Sequence, residues 1–408
     1  MRPSAARTSA VLTALALALA GCGGGQPPRP GSAGPATSPS AAPATSPSAS
    51  PSASPVPTPS ADEQAQAQVS AALAGLDRRA QVAQLFVVGV PADDLGAAAD
   101  LVARGVGGIF LAGRPGASVD ELAGLTGQWT GQAGGPDPWI AVDQEGGSVQ
   151  TLKGPGFDRL PAATAQGDLP PDRLAALAAT AAGQLSAAGV NLDLAPVVDV
   201  VPAGTEAGNA PIGAFGRQYG STPAEVAAAA TTVADGLAGA GVTPTLKHFP
   251  GLGMVSGNTD ERADVVDGTT GPGGEQVTAF ADTLERTTAD PMVMTSSATY
   301  SRIDPANPAA FSPAVIDGLL RDELGFTGPV ISDDLGNAAA VRSVPVGERA
   351  VRFLAAGGTL VLTVAPAAFP AMLEAVLARS GSDPAFAAVV DSAVRTALLA
   401  KARAGLLG

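Results

Sequence analysis

Short runs of apolar residues alternate with longer Ala- and Leu-rich stretches from about residue 62 onward. Eight of these runs have the length and the apolar content of buried strands. They are QLFVVGV from Gln84, GGIFLAG from Gly107, WIAVDQE from Trp139, VNLDLAPVVDV from Val190, TPTLKHF from Thr243, PMVMTSS from Pro291, GPVISDD from Gly328 and GTLVLTV from Gly358. Strands that are apolar on both faces and separated by helices predict a parallel sheet covered by helices.

The intervening stretches carry the usual signals of helix ends. Several begin with Ser-Pro or Thr-Pro, as TPAEVAAAATTVADGLAGAG does, and several end in Gly. Ser or Thr caps a helix, proline suits the first helical position, and glycine suits the position after the last. About eight β/α units favour an α/β fold that closes as a single TIM-like (β/α)8 barrel over an open doubly wound sheet.

The N-terminal part of the chain predicts a targeting segment. Arg2 and Arg7 precede the apolar stretch AVLTALALALAG, which is too short to span a bilayer and is typical of a secretory signal. The sequence LAGC at residues 19–22 then looks like a bacterial lipobox. We therefore predict a lipoprotein signal peptide over residues 1–21 and lipidation of Cys22, the alternative being a plain signal peptide with a chance cysteine.

Residues 22–61 are rich in Ser, Pro, Ala and Thr. These residues cannot bury enough apolar area to offset the entropy of ordering, so the segment is predicted to be a disordered tether. The remaining residues 62–408 are predicted to form the barrel domain. This organisation predicts an enzyme-sized domain, anchored by lipid to the extracytoplasmic face of the cell membrane.

Composition and charge narrow the chemistry. Of the 408 residues, 46% are hydrophobic and 15% are charged, which excludes disorder for the bulk of the chain. The 23 Lys and Arg residues against 37 Asp and Glu give a net charge of −14, which argues against nucleic acid or an anionic lipid surface as a partner. One Cys and one His exclude zinc clusters, disulfide frameworks and Cys–His dyads.

Polar and charged residues stand at the ends of three predicted strands. They are Asp143 after the third run, Lys247 and His248 at the end of the fifth, and Asp333 at the end of the seventh. In a barrel the carboxyl ends of the strands form the active site, although any one of these residues could instead close the rim by a salt bridge. Together they suit a polyhydroxylated substrate, and a carboxylate there can attack an anomeric carbon.

Four segments resemble a known family. KHFPGLGMVSGNTD at residues 247–260 resembles the signature of the bacterial β-N-acetylglucosaminidases of glycoside hydrolase family 3. AVDQEGGSVQ from Ala141, IGAFGRQYG from Ile212 and PVISDDLGNAA from Pro329 are similar to three further segments of that group, in the expected order. The resemblance implies a TIM-like barrel without a second sandwich domain, and no metal or organic cofactor.

The resemblance also implies roles for individual residues. It makes Asp333 the nucleophile that forms a glycosyl-enzyme intermediate. Four residues would hold the sugar hydroxyls in the −1 subsite, namely Asp143, Arg217, Lys247 and His248.

The sequence departs from the family at the acid/base. The family uses the His of an Asp-Ser/Thr-His dyad on a loop, and the corresponding residues here are Asn258, Thr259 and Asp260. The chain's single His is already assigned at His248. Asp260 is therefore the candidate acid/base, and the glycine-punctuated segment at residues 251–257 is expected to be mobile enough to bring it over the sugar.

Together with these residues, the resemblance implies a retaining exo-β-glycosidase that acts on a carbohydrate, and the net charge argues against nucleic acid. The leading hypothesis is a monomeric β-N-acetylhexosaminidase that releases terminal β-linked N-acetylglucosamine from peptidoglycan-derived fragments. One alternative is a lipoprotein that binds such sugars without turning them over, since the family's acid/base is lost. Another is a glycoside phosphorylase, but the carboxylate of Asp260 argues against it because it would repel phosphate.

Overall fold

The structure is a computed structural model, and it describes residues 59–407. The predicted signal peptide, the lipidation site Cys22 and nearly all of the predicted tether lie outside the described residues. The first described helix begins at Ala61, one residue before the predicted start of the domain. The domain limits proposed from the sequence therefore stay a prediction.

Eight strands form one sheet in which all neighbouring pairs are parallel. In chain order they are β1 (Phe86–Pro91), β2 (Gly108–Ala112), β3 (Trp139–Val142), β4 (Leu192–Asp193), β5 (Thr243–Phe249), β6 (Met292–Thr295), β7 (Val330–Ser332) and β8 (Val361–Thr363). Strand β8 pairs with β1, and a bridge between Ile331 and Leu360 joins β7 to the segment entering β8. The sheet thus closes into a barrel, which confirms the predicted fold and all eight predicted strands.

Helices surround this barrel. Within residues 59–407 the α-helices are α1 (Ala61–Gly75), α2 (Arg78–Ala83), α3 (Ala98–Ala103), α4 (Val119–Gln132), α5 (Ala163–Gly167), α6 (Pro171–Ala187), α7 (Pro223–Gly239), α8 (Glu275–Arg286), α9 (Val346–Ala355), α10 (Phe369–Ser382) and α11 (Pro384–Arg403). A helix of π type spans Ala314–Glu323, between β6 and β7. At least one helix therefore follows every strand, as the alternation in the sequence predicts.

Shorter elements decorate the loops. Two small sheets pair Gln144–Gly146 with Val149–Gln150, and Thr299–Tyr300 with both Val266–Asp267 and Asp304–Pro308. Single 3-10 turns occur at Leu95–Ala97, Glu206–Gly208, Gly213–Phe215, Ala309–Phe311, Ala339–Val341 and Pro366–Ala368.

Helix α7 shows why the sequence signals work. The Thr222 hydroxyl accepts a hydrogen bond from the Glu225 N–H, and the Glu225 carboxylate accepts one from the Thr222 N–H. This capping box satisfies two N–H groups that a helix start leaves unpaired, and Pro223 occupies the first helical position. Ser60 and Ser118 cap α1 and α4 in the same way.

The core lies both inside the barrel and between the barrel and its helices. Phe86 of β1 packs edge-to-face on Phe369 of α10, with ring centroids 5.2 Å apart. Phe249 of β5 packs on Phe280 of α8 in the same manner at 5.1 Å. In the part of the chain that the structure describes, no helix is both long enough and apolar enough to cross a membrane.

The fourth predicted run differs from a regular strand. Only Leu192 and Asp193 form β4, although the apolar run continues to Val200. Pro196 has no N–H to donate, so the ladder cannot continue regularly past it. The chain nevertheless stays beside β5, because the Thr245 N–H donates to the Ala195 carbonyl at 2.8 Å. This path carries the end of the run to the site.

Candidate active site

The predicted site residues meet at one end of the barrel. Asp143 directly follows β3, Lys247 and His248 lie near the end of β5, and Asp333 directly follows β7. The carboxyl ends of parallel strands in a closed barrel share one rim, so these side chains are brought together. A separate groove of about 780 Å³ lies at the opposite end, against α11, and none of these residues lines it.

Lys247 forms the centre of a buried charge cluster. Its Nζ lies 2.6 Å from Asp143 Oδ1 and 2.7 Å from Glu145 Oε1. Arg217 forms a bidentate ion pair with the same glutamate, from Nε to Oε2 at 2.8 Å and from Nη2 to Oε1 at 2.7 Å. A third Arg217 contact, from Nη1 to the Pro211 carbonyl at 2.8 Å, fixes the guanidinium plane. The structure thus links Arg217 to Lys247 through Glu145, and Lys247 in turn contacts Asp143.

Glu145 is an ion-pair partner and cannot serve as a proton donor. Burial alone would raise the pKa of this carboxyl, but the charges of Arg217 and Lys247 outweigh it and lower the pKa to about 2. For Lys247, burial opposes the charged form, yet Asp143 and Glu145 raise the pKa above its ordinary value. Glu145 and Lys247 therefore both stay ionised across the physiological pH range. Asp143 keeps 27% of its side chain exposed and is the open edge of the cluster.

Asp199 holds His248 in place, and sequence reasoning missed it. The fully buried Asp199 places Oδ2 2.7 Å from His248 Nδ1, while Oδ1 accepts from the N–H groups of His248 and Leu252 at 3.1 and 2.7 Å. Because Asp199 engages Nδ1, Nε2 is the ring atom that is left to contact a ligand. The signal was available in the sequence, since a carboxylate inside the apolar run VVDV needs a partner.

Asp333 lies partly buried within range of two charged neighbours. Burial is the largest cause that raises its pKa to about 6, the negative charge of Asp260 adds to this, and His248 opposes it. The N–H of Asp334 donates to Asp333 Oδ1 at 2.8 Å. Asp333, His248 and Asp260 therefore lie close enough to act on one another.

The Asp334 carboxylate accepts hydrogen bonds from the backbone around it. Its Oδ1 accepts from the N–H groups of Gly336 and Val364, at 2.8 and 2.9 Å, and its Oδ2 accepts from Asn337 at 3.1 Å. These bonds fasten the turn after β7 to the end of β8. The carboxylate that follows the predicted nucleophile thus positions the loop rather than facing a substrate.

Asp260 is exposed and is tied to the loop that follows Asp333. Its carbonyl accepts from the Ala339 N–H at 3.2 Å, and the carbonyl of Thr259 accepts from the Ala340 N–H at 3.0 Å. Its own N–H donates to Asn258 Oδ1 at 3.1 Å. The segment that carries the candidate acid/base is therefore anchored at the rim of the site.

The glycine-punctuated segment at residues 251–257, which is predicted to be mobile, packs closely against its neighbours. Most of its residues are buried, and Asn209 Nδ2 donates to the carbonyls of Leu252 and Val255 at 2.7 and 2.8 Å. Glycine is needed at Gly253 because a Cβ there would lie 1.7 Å from the Val200 carbonyl oxygen. The glycines of this segment serve close packing, which the sequence pattern alone does not distinguish from mobility.

Asp193, at the end of β4, is a second buried acid that sequence reasoning missed. Its Oδ1 accepts from the Gln144 N–H at 2.9 Å, and it lines a small cavity with Tyr219 and apolar side chains of α6 and α7. Burial is the main cause that raises its pKa to about 8, although Lys247 opposes the shift. The cluster therefore holds a neutral carboxyl group beside its ion pairs at neutral pH.

Comparison with known proteins places this architecture in a family. Residues 78–397 match the Glycosyl hydrolase family 3 N terminal domain. The beta-hexosaminidase of Methylococcus capsulatus is 34% identical over 287 residues, which cover 68% of this chain and 81% of that protein. Beta-hexosaminidase LpqI of Mycobacterium tuberculosis is 34% identical over 348 residues, which cover 79% of this chain and 83% of that protein.

Solved structures of related proteins have the same fold. A beta-N-acetylhexosaminidase from Beutenbergia cavernae superposes with a TM-score of 0.76 at 43% identity, covering 80% of this chain and 98% of that one. The structure of M. tuberculosis LpqI superposes with a TM-score of 0.70 at 31% identity, covering 81% of this chain and 95% of that one. The chain is a glycoside hydrolase and belongs to glycosyl hydrolase family 3.

Proposed function

We propose that the protein is a retaining β-N-acetylhexosaminidase that removes terminal β-linked N-acetylglucosamine from peptidoglycan-derived fragments. The observation that carries this is Asp333, a carboxylate at the end of β7 that lies within electrostatic range of both His248 and Asp260. The relatives with the names beta-hexosaminidase and beta-N-acetylhexosaminidase support the sugar specificity.

The charge cluster supports a subsite for the terminal sugar. Asp143 and Lys247 offer an acceptor and a donor, held at 2.6 Å from each other, to sugar hydroxyls. His248 contributes Nε2, and Arg217 has two N–H groups left beyond its three contacts. Rigid groups of this kind discriminate strongly against a sugar that lacks a hydroxyl, because they would be left unpaired.

Asp333 is the proposed nucleophile. Its carboxylate attacks the anomeric carbon as the glycosidic bond breaks, which forms a glycosyl ester and releases the aglycone. Water then attacks the same carbon and frees the carboxylate, with net retention of configuration. The pKa of about 6 leaves Asp333 largely ionised at neutral pH, as attack requires.

Asp260 is the proposed acid/base. It would protonate the glycosidic oxygen as the bond breaks and later take the proton from the attacking water.

The substitution Asp260→Asn tests this assignment. General acid catalysis supplies about 10²- to 10⁴-fold, so we expect a loss of at least about 100-fold on N,N′-diacetylchitobiose. The p-nitrophenyl β-N-acetylglucosaminide should still be cleaved, because its leaving group needs no proton, and azide should partly restore slower substrates.

A matched control is Asp264→Asn, which changes an exposed aspartate of the same loop that pairs with Arg262. It should leave both rates unchanged. An Asp260→Asn enzyme that cleaves the disaccharide at the parental rate would show that another group donates the proton. For the nucleophile, a 5-fluoro glycosyl trapping reagent followed by peptide mapping should label Asp333, and a label on Asp334 or Asp143 would contradict it.

Two other functions have distinct outcomes. A sugar-binding lipoprotein would bind N-acetylglucosamine yet release p-nitrophenol from neither the β-N-acetylglucosaminide nor the β-glucoside. A phosphorylase would need phosphate and yield a glycosyl phosphate. The exposed carboxylate of Asp260 at the rim opposes an incoming anion, which favours water as the acceptor.

We further propose lipid attachment at Cys22 and a monomer at the extracytoplasmic membrane face. The lipobox-like sequence LAGC and the Pro- and Ser-rich stretch after it support this. The enzyme should partition into membranes in a globomycin-sensitive way, and Cys22→Ala should release it. A Cys22→Ala protein that still sediments with membranes would overturn the anchor, and sedimentation velocity on the released protein would test the monomer.

A further inference from the structure

One aromatic side chain differs from all the others in this chain. The 11 Phe, two Trp and two Tyr all lie among residues 59–407, and every one is buried except Phe215, which is 54% exposed. A single exposed apolar residue is common in proteins, so its location decides whether it has a task.

Phe215 lies in the loop that carries Arg217 of the charge cluster. It ends the 3-10 turn Gly213–Phe215 in the loop between β4 and α7, two residues before Arg217. Two residues of chain span at most about 7 Å between Cα atoms. The backbone that carries the exposed ring is therefore close to that of the residue whose guanidinium binds Glu145 in the charge cluster.

The backbone under Phe215 is fixed. Its N–H donates to the Ile212 carbonyl at 3.1 Å, and the Gly216 carbonyl accepts from the Thr164 N–H at 3.2 Å. Gly216 has φ +62°, a conformation that favours glycine and closes the turn. Asn209 Oδ1 also accepts from the N–H groups of Ile212 and Gly213, at 3.1 and 2.7 Å. Exposure of Phe215 is thus imposed by a braced turn.

Met254 is a second exposed apolar side chain on the neighbouring loop. It is 41% exposed, and Asn209 Nδ2 donates to the carbonyls of Leu252 and Val255 on either side of it. The N–H of Leu252 is in turn bound by Asp199, the residue that holds His248. One buried asparagine therefore ties together the two loop segments that carry Phe215 and Met254.

We propose that Phe215 and Met254 form the leaving-group subsite, with the Phe215 ring against the C–H face of a second pyranose and Met254 against its apolar substituent. This proposal rests on the proposed glycosidase function. The ion pairs beside it suit hydroxyls, whereas an exposed ring with no charged partner suits the apolar face of a sugar. The flexible thioether of Met254 adapts to a short acyl or ether group.

Binding measurements test the subsite without turnover. In an Asp333→Asn background, Phe215→Ala should weaken the Kd for N,N′-diacetylchitobiose by about tenfold, the usual worth of a good aromatic contact. The Kd for N-acetylglucosamine, which has no second ring, should change by less than about twofold. Phe215→Tyr should restore the affinity for the disaccharide.

Kinetics on the active enzyme give the matching readout. Phe215→Ala should lower kcat/KM for the disaccharide by about tenfold and spare trifluoroethyl β-N-acetylglucosaminide, whose leaving group has no ring. Val266→Ala is the control, because Val266 is 56% exposed in the loop between β5 and α8 that also carries Met254, but lies in the small side sheet, paired with Thr299. It should behave as wild type on both substrates.

Several outcomes would overturn the proposal. An equal loss on both substrates would mean that Phe215 only braces Arg217, and no loss on the disaccharide would remove the subsite. A change confined to binding of phosphatidylglycerol vesicles, or to dimerisation, would reassign the surface.

The proposal and the proposed function also fail separately. Disaccharide binding that depends on Phe215 without any cleavage would leave the subsite standing and refute the hydrolase. Cleavage of both substrates without any effect of Phe215→Ala would support the hydrolase and refute the subsite.

Discussion

Asp193 offers the sharpest test of the electrostatics beneath the site. The residue is 2% exposed, and burial raises its pKa to about 8, with Asp143 and Glu145 adding to the shift and Lys247 opposing it. Its Oδ1 accepts only the N–H of Gln144 among the described hydrogen bonds. In the folded protein at neutral pH the group therefore carries a proton, whereas in the unfolded chain an aspartate is ionised.

This difference links stability to pH with a definite sign. Between about pH 4 and pH 8 the folded state binds one more proton than the unfolded state at this site. The free energy of unfolding therefore falls with rising pH by up to ~1.4 kcal/mol per unit from this group, and is level outside that window. At pH 7 the accumulated cost is as much as ~4 kcal/mol.

The substitution Asp193→Asn replaces the carboxyl group with an isosteric amide that does not titrate. The amide keeps an oxygen for the Gln144 N–H and a donor where the acid carries its proton. We expect the variant to gain at least ~2 kcal/mol over wild type at pH 7, with a gain that shrinks toward pH 4. Urea unfolding at several pH values, followed by the fluorescence of the buried Trp129 and Trp139, measures it.

Asp199→Asn is the matched control, with an opposite expectation. Asp199 is equally buried, but it accepts from three partners on His248 and Leu252. An amide has only one acceptor oxygen, so this variant should lose stability at pH 7 by ~1–3 kcal/mol. If the Asp193→Asn gain does not depend on pH, Asp193 is ionised in the folded protein and the reasoning is refuted.

The pKa of Asp333 and the packing of Gly253 support two further predictions. First, kcat/KM for the p-nitrophenyl substrate should rise with pH through about pH 6, as Asp333 ionises. Asp260→Asn should move this rise to lower pH, because the charge of Asp260 helps to raise the pKa of Asp333. A rise at the same pH in the variant would mean that the two carboxylates do not interact. Second, Gly253→Ala should cost at least ~2 kcal/mol, measured by urea unfolding, because its Cβ would meet the Val200 carbonyl. Gly268→Ala, where a Cβ would meet no atom closer than 3.9 Å, should be nearly neutral, and equal costs would contradict the packing argument.

The barrel could be predicted because its signals are local. Each strand is a continuous apolar run, and the helix starts carry capping residues such as Thr222. Lys247, His248 and Asp333 could be selected as candidates for a related reason. Each is a polar group at the end of a buried strand, and parallel strands bring such ends to one rim.

The partners of these groups could not be predicted, because they depend on contacts between distant segments. Arg217 meets Glu145 across 72 residues, and Asp199 meets His248 across 49. Glu145 lies in one of the sequence motifs and Asp199 in a predicted strand, but the sequence analysis gave neither a role. Asp193 was hidden for a further reason, since only the packing of helices α6 and α7 over β4 buries it.

The balance of charge in the cluster bears on the acceptor that the enzyme uses. Lys247 and Arg217 are matched by Asp143 and Glu145, and Asp193 adds no charge while it holds its proton. The cluster is thus close to neutral. When the acceptor attacks, Asp333 is esterified, so the negative charge that faces the acceptor comes from the rim carboxylate of Asp260. Negative charge stabilises an oxocarbenium-like transition state and repels phosphate. A neutral cluster beneath an anionic rim therefore favours hydrolysis over phosphorolysis. Salt screens the repulsion between the rim and phosphate, so weak inhibition by phosphate should become stronger as the ionic strength rises.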